Sequence, residues 1–140
     1  MRTGRLTVAL VACAAAKLTR AAPAEELYVS ALFRKSRAYA ERSADHWYIL
    51  SAMHGLVRPE DVIAPYDLTL NQMGIAERRR WADRVNGQLN GVIRSGSTLL
   101  FLAGARYREG IEPVQRQRGV AITVPMEGMR IGEQLQWLSR

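Results

Sequence analysis

The run Trp47-Tyr48-Ile49-Leu50-Ser51-Ala52-Met53-His54-Gly55-Leu56-Val57-Arg58-Pro59, continuing to Ile63-Ala64-Pro65-Tyr66-Asp67, decides how this chain is read. Its first four residues form a short apolar run, the pattern of a strand buried on both faces. Small residues, a histidine, a glycine, two prolines and a Tyr-Asp pair then arrive together. That composition fits the carboxyl end of a strand in an α/β protein, where ligands bind.

The segments on either side complete the pattern. Residues 6–12 are rich in Val and Leu and read as a first strand. Residues 24–42 follow Pro23 and carry Leu27, Leu32, Phe33, Ala38 and Tyr39 among charged residues, which predicts a helix. Residues 47–51 are the second strand, and residues 54–70 a long ordered loop. Residues 76–93 place Trp81, Val85 and Leu89 on one helical face, with Arg78, Arg79 and Arg80 near its start. Residues 98–102 read as a third strand, 107–118 as a helix, 120–124 as a fourth strand and 131–138 as a last helix. Strands alternating with helices predict an α/β fold of three layers. Its mainly parallel sheet has about four strands, with helices on both faces in a Rossmann-like arrangement.

With 140 residues the chain fits a single domain spanning 1–140, long enough to bury a core without disulfides. Its single cysteine excludes an internal disulfide, and a cytoplasmic location is the expectation. Residues 6–16 are apolar and follow Arg2 and Arg5, as in a secretory leader. Lys17 and Arg20 close that run and β-branched residues alternate within it, so it reads as a strand. No apolar run approaches the ~20 residues of a membrane span. The net charge of +7 rests on 18 Arg against 2 Lys. Arginine favours bidentate contact with phosphate and carboxylate, so a nucleic acid or nucleotide partner is one reading and a solvated basic surface the other.

In such a sheet every parallel strand ends at one edge, which gathers residues distant in sequence. Cys13 and Lys17 follow the first strand; Ser51, His54, Tyr66 and Asp67 the second; Gly104, Arg106 and Tyr107 the third; Glu127 the fourth. Lys17 suits a nucleophile or an electrostatic stabiliser, or else simply ends the apolar run. Cys13 reads as a thiolate or as a small buried filler. His54 is an acid/base candidate or a packing residue under the loop. Ser51 lacks a nucleophile elbow and suits hydrogen bonding. Asp67 reads as a general base or as the cap of a turn at residues 68–70. Glu127 could orient a sugar hydroxyl or stabilise positive charge on a ribose ring, or be a solvated turn residue. Gly104, Arg106 and Tyr107 suit an anion at a helix start. Arg78, Arg79 and Arg80 suit nucleic-acid phosphate. No metal-ligand spacing and no cofactor motif is present.

The segment Ser51–Tyr66 resembles the Ser-Gly-x-Tyr-Gly-Leu-x-x-Pro…Ile-x-Pro-Tyr signature of the YaaA-like peroxide-stress family, with His54 in place of a tyrosine. That resemblance implies an α/β DNA-binding protein with a basic cleft. Over nearly its whole length the chain resembles small bacterial and phage domains of unknown function. Their pattern runs Cys-Ser-x-x-Lys, Tyr-x-Ser-x-x-Phe, Leu-Ser-Ala-x-His-Gly-Leu, Pro-Tyr-Asp-x-Thr-Leu and Gly-x-x-Ile-Gly-x-x-Leu. Here these read Cys13…Lys17, Tyr28…Phe33, Leu50–Leu56, Pro65–Leu70 and Gly128–Leu135, with Ala14 in place of the serine. The Cys13…Lys17 piece is also similar to the lysine motif of archaeosine synthases, in which a lysine adds to a deazaguanine nitrile in tRNA. The leading expectation is an enzyme acting on a nucleobase or its N-glycosidic bond. The alternatives are a non-enzymatic DNA-binding stress protein and a nucleotide sensor or hydrolase.

Overall fold

In a computed structural model, which describes residues 5–140, the Val- and Leu-rich run Thr7–Ala12 is β1, the central strand of the sheet. Arg2, read above with the apolar segment, lies outside the described residues. Two short pieces follow, β2 (Ala22–Pro23) and α1 (Ala24–Leu27), then α2 (Ala31–Ser43) and β3 (His46–Ser51). A hairpin leads into β4 (Gly55–Val57), and β5 (Val62–Ile63) pairs with β2 as a separate two-stranded ribbon. Then come α3 (Ile75–Leu89), β6 (Thr98–Leu102), α4 (Ala105–Arg108), α5 (Glu112–Gln117), β7 (Ala121–Thr123) and α6 (Ile131–Leu138). The main sheet runs β4-β3-β1-β6-β7, all parallel except β4 at one edge.

Side-chain alternation sends each central strand's residues to two different cores. Val8, Leu10, Leu50, Leu99 and Phe101 pack with Trp81, Val85 and Leu89 of α3 on one face. Ala9, Val11, Ile49, Leu100 and Leu102 pack with Phe33 and Ala40 of α2 and Leu138 of α6 on the other. Two buried faces explain why β1 and β6 read as continuous apolar runs. The expected three-layer α/β fold is the observed one. No helix of the described residues is long and apolar enough to cross a membrane.

Three local expectations are corrected. The predicted helix over 24–42 is broken at Tyr28–Ser30. Tyr28 forms a β-bridge with Lys17, Val29 N–H donates to Ala16 O at 3.0 Å, and Ser30 Oγ accepts Phe33 N–H at 3.1 Å to cap α2. The predicted helix over 107–118 is split into α4 and α5, with the buried Ile111 between them. Gly110 lies there because a Cβ would come within 2.5 Å of Ala82 Cβ.

The loop expected over 54–70 contains β4 and β5. Ser51 pairs with Gly55 across a three-residue turn, with Gly55 at φ +73 in the left-handed region. Gln88 of α3 clamps the returning strand, accepting Leu56 N–H at 2.8 Å and donating to Leu56 O at 3.3 Å. The same Gln88 Oε1 would lie 2.5 Å from a Cβ at position 55.

Candidate functional site

The segment that decides the fold also builds one wall of the site. Ser51, wholly buried at the end of β3, accepts the His54 N–H at 3.0 Å and shares a 2.8 Å hydrogen bond with Tyr66 Oη. Tyr66 Oη lies 2.6 Å from the hydroxyl of the buried Tyr28. Burial pushes the Tyr28 phenol up to about 12, and drives Tyr66 upward as well. Both phenols are therefore neutral hydroxyls at physiological pH.

Lys17 and His54 frame this chain of hydroxyls. Lys17 Nζ lies 4.4 Å from the Tyr66 ring centroid and 5.7 Å from that of Tyr28, and donates to Ala15 O at 3.3 Å. The ammonium thus sits against aromatic faces, a favourable electrostatic arrangement. His54 meets Tyr66 edge-on, with centroids 5.6 Å apart. Burial first, and the nearby Arg84 second, lower its pKa below the usual histidine value, so the imidazole is neutral at pH 7.

A cleft of about 260 Å³ opens beside these residues, at the carboxyl edge of β1, β6 and β7. Cys13 follows β1, Gly104 and Ala105 follow β6, and Glu127 follows β7; Phe33 and Ser36 of α2 supply the floor. Arg108, 8% exposed, sets the electrostatics of the cleft. Its guanidinium lies 2.7 Å from Glu112 and 3.5 Å from Glu127, and donates to Ala103 O at 3.0 Å. Glu127 is 68% exposed on its side chain and stands at the mouth.

Tyr107 links the two regions. Its hydroxyl lies 3.3 Å from Cys13 Sγ and its ring meets Trp81 edge-on at 5.6 Å. Burial is the main cause that raises its pKa. Trp81 Nε1 in turn donates to Ser51 O at 2.8 Å.

The structure therefore groups the sequence-predicted residues unevenly. Cys13, Gly104 and Glu127 line the cleft. Lys17, Ser51, His54 and Tyr66 belong to the hydroxyl chain beside it, and Tyr107 joins the two. Arg106 lies apart, with Arg78 and Arg79 around a separate depression. Arg78 is tied to Glu109 at 3.1 Å and to Met73 O at 2.8 Å, whereas Arg79 and Arg80 are exposed. Asp67 is exposed. The turn it was considered to cap begins instead at Thr69, whose N–H donates to Gln72 Oε1 at 2.8 Å. Sequence reasoning did not single out Arg108, Tyr28 or Gln134. For Arg108 the sequence offered only Glu112 four residues later, across the break between α4 and α5, which does not by itself mark a site. Among the described residues no three His, Cys, Asp or Glu side chains converge as a metal site requires.

Comparison with known proteins agrees with part of the resemblance drawn from sequence. The chain is 33% identical over 120 residues to the uncharacterized protein YfjM of Bacillus subtilis, covering 84% of this chain and 78% of that one. It is 30% identical over 86 residues to a UPF0246 protein of Teredinibacter turnerae and 30% over 76 residues to a UPF0246 protein of Acaryochloris marina. These YaaA-like relatives are matched over 56% and 51% of this chain. The chain spans only about a third of their length, 34% and 30% respectively. A family model matches residues 8–140, and the chain belongs to that family, described as a family of unknown function (DUF6884).

Proposed function

We propose that this protein is an enzyme acting on a nucleobase or its N-glycosidic bond, with the cleft between β1, β6 and β7 as its substrate site. The observation that carries the reading is Glu127. A carboxylate at the mouth of a small cleft, 3.5 Å from the buried Arg108 guanidinium and 68% exposed on its side chain, is free to reach a ligand. At about 260 Å³ the cleft is slightly smaller than the ~300 Å³ at which ligand sites ordinarily begin, and it suits a single base or nucleoside.

Cleavage of an N-glycosidic bond sends the bonding pair to the base and leaves positive charge on the sugar. Glu127 stabilises that charge electrostatically. Water then adds to the sugar carbon and gives up its proton, while the departing base takes one up, so the products are the free base and the free sugar. Lys17 has its ammonium over Tyr66 and outside the cleft lining, a position that favours electrostatic support over attack on the substrate. The test is chromatography of nucleosides, nucleotides, RNA and DNA after incubation with the protein. Free base should appear, and Glu127→Gln should slow its release about 100-fold or more. Release that Glu127→Gln leaves unchanged would remove the carboxylate from the chemistry.

Exposed Arg79 and Arg80 on α3, together with the +7 charge, favour a second reading as a non-enzymatic nucleic-acid-binding protein. Under that reading, affinity for DNA falls steeply with salt and is weakened by Arg79→Ala with Arg80→Ala, while Glu127→Gln has no effect.

A further inference from the structure

We infer that the cleft takes an uncharged ligand rich in hydrogen-bond donors, a nucleoside or base in place of a nucleotide, and turns phosphate away. The identity of the ligand rests on the nucleobase reading above; the charge argument rests on the cleft alone. Among the described residues, Arg108 is the one cation that lines it. Two carboxylates face that cation, Glu112 at 2.7 Å and Glu127 at 3.5 Å; of the lining residues themselves Arg108 and Glu127 cancel, so the cleft offers no net positive charge. Arg116 reaches the other oxygen of Glu112 at 3.4 Å; neither of the two lines the cleft, and together they add no net charge. A phosphate entering the cleft would meet the exposed Glu127 carboxylate before it met a guanidinium already neutralised.

The neutral polar groups point the same way. Gln134, which lines the cleft, uses its amide N–H on Met129 O at 2.9 Å, and its Oε1 is left to accept. Tyr107 Oη shares a 3.3 Å contact with Cys13 Sγ behind the lining and is thereby engaged away from a ligand. Glu127 offers acceptors only. Glu127 and the Gln134 oxygen match sugar hydroxyls and exocyclic amines, while the side-chain donors other than Arg108 and the Gln134 amide are the neutral hydroxyls of Ser30 and Ser36, which leaves no unpaired cation for a phosphate. Arg106, the guanidinium expected to hold an anion with Gly104, faces the depression shared with Arg78 and Arg79.

Two measurements test this. In the first, inorganic phosphate is titrated into ¹⁵N-labelled protein at constant ionic strength while the Gly104, Ala105 and Gly128 amides are followed. No saturable shift is expected in the wild type, and one is expected in Glu127→Lys, a substitution at an exposed position. A saturable wild-type shift at those amides would overturn the charge argument and leave the nucleobase reading intact. In the second, calorimetry compares the common ribonucleosides with their 5′-monophosphates. At least one nucleoside should bind about tenfold or more tighter than its monophosphate, and Glu127→Gln should bring the two towards equality. A monophosphate that binds as tightly as its nucleoside overturns the inference. Failure of every compound to bind overturns the nucleoside assignment together with the nucleobase reading.

Discussion

The Tyr66 hydroxyl lies 2.6 Å from that of Tyr28 and 2.8 Å from Ser51 Oγ, so a single phenol satisfies two buried hydroxyls contributed by distant parts of the chain. Ser51 ends β3, Tyr28 sits in the break between α1 and α2, and Tyr66 follows β5. Tyr66→Phe keeps the ring under Lys17 but removes the shared partner. An unpaired buried hydroxyl costs about 1–3 kcal/mol, and the substitution should lower stability by an amount in that range. Urea unfolding with an unchanged m-value would register it. A Tyr66→Phe protein as stable as the wild type would mean that the hydroxyl chain contributes nothing.

The same burial fixes an alkaline titration. Tyr28 is raised from 10.0 to about 12, and Tyr66 and Tyr107 are raised as well. A raised acid is more protonated in the folded state, so its stabilisation is complete below the unfolded value near 10 and is lost as pH climbs through the folded value. Absorbance of phenolate should therefore show these three tyrosines ionising late, in step with loss of the fold. Ionisation of all five tyrosines near pH 10 with the fold intact would refute the burial.

His54 gives the opposite dependence, on the acid side. Its pKa is lowered from 6.5 by burial and by Arg84, so the unfolded chain binds the proton more readily. The contribution of His54 to stability is complete above 6.5 and is lost as pH falls through the lower folded value. Replacing it with Gln should flatten the stability profile below pH 6.5. An unchanged slope in His54→Gln would assign the acid sensitivity to other groups.

Much of the fold was legible because the two buried sheet faces make β1, β3 and β6 continuous apolar runs, and α3 carries a clear apolar stripe. What stayed hidden depends on partners remote in sequence. Tyr28 leaves the helical pattern where it pairs with Lys17, and β4, paired with β3, is also held from α3 by Gln88. Strand order predicted that Cys13, Gly104 and Glu127 would share an edge, and they do share the cleft. Arg108 was missed because its importance comes from burial between two carboxylates, which spacing alone does not reveal.

Arg108 and Glu127 should respond very differently to substitution despite lying 3.5 Å apart. Arg108 is 8% exposed and bound to Glu112 and to Ala103 O, so Arg108→Met leaves the nearly buried Glu112 with only the exposed Arg116, 3.4 Å away, as a partner. Breaking such a pair from one side costs about 3–5 kcal/mol. Glu127 projects into solvent, and Glu127→Gln should change stability by no more than about 0.5 kcal/mol.

Gly55 provides a last test, of the turn that closes the opening segment on itself. It combines φ +73 with an approach so close that a Cβ would lie 2.5 Å from Gln88 Oε1. Gly55→Ala therefore meets two costs, the left-handed backbone and the displacement of the side chain that clamps Leu56. Residues held in such backbone regions cost about 1–3 kcal/mol, and the expected loss of stability is in the upper part of that range. Gly55→Ala combined with Gln88→Ala separates the two, because it removes the contact and keeps the backbone strain. The double variant should lose less than the sum of the single losses, measured by urea unfolding. Strict additivity would show that Gln88 and position 55 do not interact, and that backbone conformation alone demands the glycine.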